Sequence, residues 1–211
     1  MSLQLSVVII GRNEGERLIR CIRSVQAMDF PKDEMEIIYV DSNSTDNSPQ
    51  QAKALGVQVL VVQPDHPVAA FGRNAGWRAA QADFILFLDG DTVLQADFVK
   101  VALPILKQDD NIIAVWGHRR ELYPKASWYH RVLDLEWIYP PGPSDFFGGD
   151  VVVRRQVLAE VDGFNTEIAG GEEPELCQRI RSRGYTILHI DHPMTLHDLA
   201  ITRWSQYWHK A

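Results

Sequence analysis

Short apolar runs alternate along this chain with segments in which apolar residues recur at helical spacing. The first run, 5–10, is continuous and β-branched, as is typical of a strand buried on both faces of a parallel sheet. After it, apolar side chains recur on one helix face from 18 to 25. Further strands are predicted at 36–40, 57–62, 84–88, 112–116 and 186–190, helices at 49–55, 71–80, 96–107 and 174–183, and a strand with a short helix within 146–164.

This alternation favours an α/β fold with a mostly parallel central sheet in a three-layer α/β/α sandwich. In such sheets, ligands bind beyond the carboxyl ends of the strands. Polar clusters follow three of the predicted strands: Asn13-Glu14, Asp41-Ser42-Asn43 and Asp89-Gly90-Asp91. We therefore expect these clusters to converge on one edge of the sheet.

The stretch FLDGDTVL places Asp89 and Asp91 one glycine apart at the end of an apolar strand. A tight turn accounts for Asp-Gly and Gly-Asp pairs without any function. Two carboxylates at this spacing also suit Mg²⁺ or Mn²⁺ with open positions for diphosphate oxygens. Phosphatases of the haloacid dehalogenase type carry a similar motif, but on their first strand, whereas here it follows the fourth predicted one.

Three other places carry candidate chemistry. Glu172, Glu173 and Glu175 surround Pro174; acidic residues suit the start of a helix, and a carboxylate there could also act as a general base. A lone arginine such as Arg73 is usually solvated, but it could bind a phosphate or a carboxylate. His197 would be structural by itself; beside a D-x-D motif it becomes a further candidate metal ligand.

Composition narrows the class of protein. The 211 residues carry a formal net charge of -7 and no dominant basic stripe, so nucleic-acid binding is not expected. The two cysteines have no metal-ligand spacing and are predicted to be buried free thiols. No apolar run approaches the roughly 18 to 20 residues that span a bilayer. The N-terminus lacks the features of a secretory signal, so we expect a cytoplasmic protein.

Residues 118–145 have no clear period. Their basic residues interleave with aromatic ones: Arg119, Arg120, Lys125 and Arg131 with Tyr123, Trp128, Tyr129 and Trp137. An amphipathic helix that packs its aromatics on the core is the simpler interpretation. The alternative is a contact with a substrate, or peripheral association with the inner face of the membrane.

Five segments resemble, in order and spacing, the family 2 glycosyltransferases of GT-A fold: SVVIIGRNEGERLIRCIRSV, IIYVDSNSTDNS, GRNAGWRAAQADFILFLDGDT, FGGDVVVRRQVLAEVDGF and GGEEPELCQRIRSRGY. The likeness extends from residue 5 to about 190. It implies an inverting transfer of a sugar from a UDP- or GDP-linked donor to the hydroxyl of a sugar, lipid-linked or small-molecule acceptor. One GT-A-type domain is expected, with a nucleotide-binding half over about 1–117 and an acceptor and catalytic-base half over about 118–211.

The resemblance also implies roles for individual residues. Asp91 matches the metal-binding aspartate, with Asp89 assisting, so a divalent cation, Mg²⁺ or Mn²⁺, is the expected cofactor. Glu173 matches the catalytic base, with Glu172 or Glu175 as alternatives. The nucleotide-binding set is Ile10, Arg12, Asn13, Glu14, Asp41, Asn43, Arg73, Asp89 and Gly90. The acceptor-binding set is Phe147, Gly148, Gly149 and Asp150.

Two departures from the family pattern concern these roles. The family usually has Asp at position 173, where this chain has Glu, which is one methylene longer. The usual acidic or glycine residue after Asp41 is replaced by Ser42-Asn43, which leaves the nucleotide base open. The alternatives to a glycosyltransferase are a D-x-D phosphatase, a sugar nucleotidyltransferase, which would need a glycine-rich basic loop after the first strand, and a non-catalytic nucleotide-binding domain.

Overall fold

The computed structural model describes residues 3–63, 68–201, 203, 204 and 208. These residues form one nine-stranded sheet with helices packed against it. The strands are β1 (Leu5–Gly11), β2 (Met35–Asp41), β3 (Gln58–Val61), β4 (Phe84–Asp89), β5 (Thr92–Leu94), β6 (Ile112–Glu121), β7 (Gly142–Ser144), β8 (Val151–Arg154) and β9 (Thr186–His197). The helices are α1 (Glu16–Gln26), α2 (Ser48–Ala54), α3 (Ala69–Ala79), α4 (Phe98–Gln108), α5 (Trp128–Glu136), α6 (Arg155–Glu160) and α7 (Glu172–Arg181).

The first four predicted strands form the parallel part of the sheet, in the order β3-β2-β1-β4. Because parallel crossovers are almost always right-handed, α1 and α2 cover one face of the sheet and α3 the other. The strand order reverses between β1 and β4, and such a switch point is where open α/β sheets bind ligands. The predicted three-layer arrangement therefore forms, with its switch point beside the D-x-D motif.

The second part of the sheet is mixed. β8 lies antiparallel to both β4 and β6, β9 is parallel to β6, and β5 and β7 pair antiparallel with β9. The sheet as a whole is thus mixed, and the predicted parallel order holds for its first four strands. Residues from both sequence halves contribute to this single sheet.

Two strands are longer than predicted. β6 continues to Glu121, and β9 continues through Pro193 to His197. The β6–β9 register shifts on both sides of the pair His118–Pro193, and a proline within a sheet is tolerated at such an irregularity. The extension matters because it carries His197 to the site.

The predicted helix at 174–183 begins earlier, at Glu172. Gly171 precedes it in the left-handed region, with φ of 82°. Pro174 is accommodated within the first turn, where N–H groups have no intrahelical acceptor. Glu172 and Glu173 are therefore the first two residues of α7, where the helix dipole favours negative charge.

α3 lies close to the sheet because of its glycines. A Cβ at Gly76 would be 2.2 Å from Cγ1 of Val8 on β1. The absence of a side chain at Gly76 thus allows the helix backbone to approach the strand. This close approach sets Arg73 and Asn74 into the interior, where both side chains are buried.

Residues 118–145 form the end of β6, then α5, then β7. The aromatics predicted to pack on the core separate: Tyr129 and Trp137 pack on a small cluster of Leu133, Leu199 and Ile201, whereas Trp128 is exposed. Both cysteines are free and buried, as predicted. Among the described residues, no helix is long and apolar enough to cross a membrane.

Candidate active site

The three predicted polar clusters meet at the carboxyl edge of the parallel strands. Gly11 at the end of β1 pairs with Asp41 on β2, and Ile10 pairs with Asp89 on β4. The Gly90 N–H donates to the Ile10 carbonyl at 2.8 Å, which joins the D-x-D turn to the end of β1. Parallel register alone therefore brings the clusters together.

A cavity of about 260 Å³ opens at this switch point. Its walls come from the ends of β1, β2 and β4 and the start of α3: Ile10, Gly11, Arg12, Glu14, Ser42, Val68, Ala69, Asp89, Gly90 and Asp91. Five of the predicted nucleotide-binding residues (Ile10, Arg12, Glu14, Asp89 and Gly90) line it.

Asp89-Gly90-Asp91 forms the tight turn between β4 and β5, and this turn carries a cluster of ligand atoms. β5 pairs with the end of β9, with Thr92 opposite His197. As a result, one ligand atom from each of Asp89, Asp91 and His197 lies within 4.8 Å of the others. Two carboxylate oxygens and an imidazole nitrogen are a donor set that suits Mn²⁺ or Mg²⁺, so the residues fit a divalent cation.

Asp150 holds the far side of the His197 ring. Its Oδ2 lies 2.6 Å from His197 Nε2 and accepts a hydrogen bond of 2.6 Å from the Thr195 hydroxyl. A proton on Nε2 satisfies this contact, which leaves the Nδ1 lone pair directed toward Asp91, at 3.7 Å. A carboxylate behind a histidine is the arrangement that orients histidine ligands of metals.

Asp150 itself is completely buried. Burial would raise its pKa, but His197 and then Arg119 outweigh burial and hold the pKa below the ordinary value. Its Oδ1 accepts from the Asp89 backbone N–H at 3.1 Å. This predicted acceptor-binding residue therefore lies beneath the D-x-D turn, where its contacts orient the candidate metal ligands.

Arg73 joins two parts of the site. Its side chain is only 3% exposed, and its guanidinium lies 3.0 Å from Asp89, 2.9 Å from Glu172 and 3.0 Å from Glu173. Burial alone would lower the pKa of this arginine, but Glu173 and the other carboxylates raise it. One buried cation thus bridges the D-x-D turn and the start of α7.

The three glutamates of α7 have different surroundings. Glu172 is buried against Arg73, whereas Glu173 is 17% exposed, and burial raises its pKa although the Arg73 charge opposes the shift. Glu175 forms a two-pronged pair with Arg179, at 2.7 Å for both contacts. Glu175 is thereby tied to its own helix, outside the Arg73 network.

Asp41 and Glu14 differ in how their charges are satisfied. Asp41 is buried and accepts from the Tyr39 hydroxyl at 2.7 Å and from the Ser44 backbone N–H at 2.7 Å. Glu14 Oε2 lies 2.8 Å from Arg17 Nη2, an ion pair whose geometry does not form an aligned hydrogen bond. Burial raises the pKa of Glu14 to about 7, with Asp91 and Asp89 adding to the shift.

Asn13 and Asn43 adopt the left-handed conformation, with φ of 57° and 60°. Asn13 Oδ1 accepts the Thr45 backbone N–H at 2.7 Å, so Asn13 ties the loop after β2 to the loop after β1. Both asparagines are exposed and lie outside the cavity wall.

The glycines before β8 are close-packed against the site. A Cβ at Gly149 would be 2.4 Å from Asp89 Oδ2 and 2.7 Å from Arg73 Nη2. A Cβ at Gly148 would lie 1.8 Å from Arg119 Nη1, while Phe147 is buried in the core. Of the predicted acceptor-binding set, Gly148 is therefore the residue with appreciable surface exposure.

Three contributors were not predicted: Tyr39, which holds Asp41, Thr195, which holds Asp150, and the role of Asp150 itself. Tyr39 and Asp41, like Thr195 and His197, are two residues apart on a strand and so face the same side. That period is the sequence signal that links each pair, but it becomes usable only once β9 is known to continue to His197.

The chain thus combines an α/β sheet and a switch-point cavity with an Asp-Asp-His cluster and three carboxylates around one buried arginine. The model of the glycosyl transferase family 2 matches residues 6–158, and the chain belongs to this family. A probable glycosyltransferase, YdaM of Bacillus subtilis, is 24% identical over 225 residues, covering 97% of this chain and 53% of its own length. The chain thus spans about half the length of that relative.

Solved structures with the same fold include the mannosyltransferase PcManGT from Pyrobaculum calidifontis in complex with GDP-Man and Mn²⁺. Its TM-score is 0.78 at 20% identity, covering 99% of this chain and 60% of that one. S. aureus TarS 1-349 in complex with UDP-GlcNAc gives a TM-score of 0.76 at 17% identity, covering 95% and 60%. The expected GT-A fold is confirmed.

Proposed function

We propose that this chain transfers a sugar, with inversion at the anomeric carbon, from a UDP- or GDP-linked donor to a hydroxyl of an acceptor. The observation that carries the proposal is the Arg73 bridge, which holds the D-x-D turn and the start of α7 around one guanidinium. In the proposal, residues 1–117 bind the nucleotide and 118–211 supply the acceptor side and the base.

The nucleoside is assigned to the cavity at the switch point. Glu14 lines this cavity, and its carboxylate can accept a hydrogen bond from a ribose hydroxyl or from the base. Asp41 lies behind the cavity wall, where Tyr39 and Ser44 hold its carboxylate. Glu14 Oε2 is paired with Arg17 at 2.8 Å without a well-aligned hydrogen bond, so a ligand N–H or O–H would add a directed donor there.

The diphosphate is assigned to Asp89, Asp91 and His197. A divalent cation bound by these residues would neutralise the charge on the departing diphosphate. Mn²⁺ beside GDP-Man in the PcManGT structure supports this assignment. Asp150 acts as a positioning residue, because it fixes the tautomer and the ring orientation of His197.

Glu173 is the base in this proposal. It takes the proton of the acceptor hydroxyl, the oxygen forms a bond to the anomeric carbon, and the bond to the diphosphate breaks with its electron pair leaving on the diphosphate. A raised pKa makes a carboxylate a stronger base, and partial exposure leaves Glu173 accessible to an acceptor. Glu172 is buried and Glu175 is paired with Arg179, so both are less suited.

The family match, together with the D-x-D turn after the fourth strand of the sheet, favours a glycosyltransferase over a phosphatase of the haloacid dehalogenase type. The test is a thermal-shift panel of UDP, GDP, CDP and dTDP, each with and without Mn²⁺. Stabilisation by one nucleotide that requires Mn²⁺ is expected, about 2.7 kcal/mol at a hundred times Kd.

The Asp91→Asn variant should lose the metal-dependent part of that shift. A matched control, Asp46→Asn in the loop after β2, should keep it. Absence of a shift with every nucleotide, or a full shift that Asp91→Asn retains, contradicts the assignment.

A further inference from the structure

α5 carries an apolar ridge on its solvent side. Trp128, Val132 and Leu135 are spaced i, i+4 and i+7, which places them on one face of the helix. Their exposures are 82%, 41% and 56%. The opposite face is buried through Leu133 and Asp134. The helix therefore already packs on the core by one face and still presents an apolar face outward.

Further apolar side chains extend this ridge. Ile138, Trp204 and Trp208 are 59%, 58% and 68% exposed. The Trp204 ring lies 6.3 Å from Tyr129 of α5 and 5.8 Å from Trp208, so the C-terminal tryptophans adjoin the helix. We call these six residues the α5 patch: Trp128, Val132, Leu135, Ile138, Trp204 and Trp208. Trp128, Val132 and Leu135 share one helix face, and an exposed apolar face of this kind marks an interaction site.

Basic side chains flank the patch. Lys125 and Arg131 are exposed and, with Trp128, line a surface cavity of about 500 Å³ at the start of α5. The chain as a whole has a net charge of -7, so this cationic edge is a local feature. Arg120, by contrast, is engaged with Asp134 at 2.5 Å.

We propose that the α5 patch docks on an anionic membrane surface. The tryptophans insert at the level of the lipid headgroups, and Lys125 and Arg131 bind the lipid phosphates. A helix ridge is convex, and a deformable lipid surface accommodates it without a matching groove.

The patch is close to the candidate active site. Trp137, the residue after α5, has its ring centroid 4.9 Å from that of His197. The buried face of α5 packs through Leu133 on Leu199 and Ile201, directly after the end of β9. A membrane at the α5 patch would therefore lie beside the acceptor side of the site. This step rests on the proposed function: a membrane in that position makes the acceptor a lipid-linked one.

The experiment is vesicle co-sedimentation of the full chain. Vesicles of phosphatidylcholine alone are compared with vesicles of equal parts phosphatidylcholine and phosphatidylglycerol. Binding to the anionic vesicles is expected, weakened by added salt. The double variant Trp128→Ala/Leu135→Ala should bind about tenfold or more weakly because it removes two inserted side chains. Lys125→Gln/Arg131→Gln should bind about tenfold or more weakly at low salt.

Matched controls lie elsewhere on the surface. Val101→Ser removes an exposed apolar side chain from α4, and Arg23→Gln/Lys53→Gln removes two exposed charges from α1 and α2. Both should bind as the unmodified chain does, and thermal unfolding checks that every variant is folded. Wild-type binding to neither vesicle, or equal binding by Trp128→Ala/Leu135→Ala, overturns the proposal.

A dimer in solution that Trp128→Ala/Leu135→Ala dissociates would assign the patch to a second copy and also overturns the proposal. Nucleotide thermal shifts are measured without vesicles, so failure of membrane docking and failure of the proposed donor site are separate results.

Discussion

Replacing Arg73 with methionine tests the electrostatic centre of the site. Methionine keeps much of the side-chain volume but removes the charge that faces Asp89, Glu172 and Glu173 at 2.9 to 3.0 Å. The carboxylates would then be left partly buried beside one another with no cation. We expect the variant to be strongly destabilised at neutral pH and less so in acid.

The magnitude follows from burial. Removing one partner of a buried ion pair costs about 3 to 5 kcal/mol, because the remaining charge stays desolvated. Burial already raises the pKa of Glu173, and without the opposing Arg73 charge that pKa rises further in the folded state, so the folded chain binds more protons than the unfolded chain between about pH 5 and pH 8. The stability of the variant therefore falls as pH rises, by about 1.4 kcal/mol per pH unit for each proton involved.

Urea denaturation at pH 5 and pH 8 measures this directly, with the free energy of unfolding compared between variant and wild type. Arg78→Met on the same helix is the matched control, since Arg78 is 51% exposed and its contact with exposed Asp162 is 3.7 Å long. It should change stability by less than about 1 kcal/mol at either pH. A cost for Arg73→Met that is the same at both pH values would refute the reasoning.

Other perturbations have equally definite outcomes. Burial raises the pKa of Glu14 from 4.5 to about 7, so the ligand-free protein should lose up to about 3 kcal/mol of stability as pH rises from 4.5 to 7.5. In urea titrations, Glu14→Gln should reduce this dependence of unfolding free energy on pH. An unchanged pH dependence would exclude Glu14 as its source. Asp150→Asn should weaken Mn²⁺ binding about 10- to 100-fold in calorimetry because His197 loses its partner, and unaltered affinity would remove His197 from the metal site. Gly149→Ala places a Cβ 2.4 Å from Asp89, which should cost about 1 to 3 kcal/mol in unfolding free energy and reduce the thermal shifts caused by nucleotides. Wild-type stability of this variant would mean that the turn adjusts freely.

Much of the first half of the fold was predictable because each parallel strand is a short buried run that ends in a polar cluster. Parallel register then dictates that Asp41 and Asp89 share an edge, and this follows without knowing any contact. The second half of the fold was harder to predict. β5 is three residues long, and the aromatic and exposed apolar residues of α5 obscure its helical period.

The contacts of His197 and Asp150 at the site could not be predicted from the sequence, and the cause is specific. The approach of His197 to Asp91 depends on β9 passing Pro193 and pairing with β5, and a proline normally argues against a strand. An acceptor role for Asp150 was implied by the family resemblance, and its contacts with Thr195 and His197 become visible only with that pairing. For the basic residues of 118–145, the alternative to a packed amphipathic helix was a contact with the acceptor or a membrane. The structure separates them, with Arg119 15% exposed near Asp150 and Lys125 and Arg131 at the α5 patch.

The central claim is inverting transfer from a nucleoside diphosphate sugar, with Glu173 as base. Its most direct test is ¹H NMR of the sugar first released when the chain is incubated with α-linked UDP- and GDP-sugars and Mn²⁺, where water replaces the acceptor. The account predicts initial release of the β-anomer from one donor, reduced at least about tenfold in Glu173→Gln while the nucleotide thermal shift is kept. Initial release of the α-anomer, or unchanged release by Glu173→Gln, would contradict it.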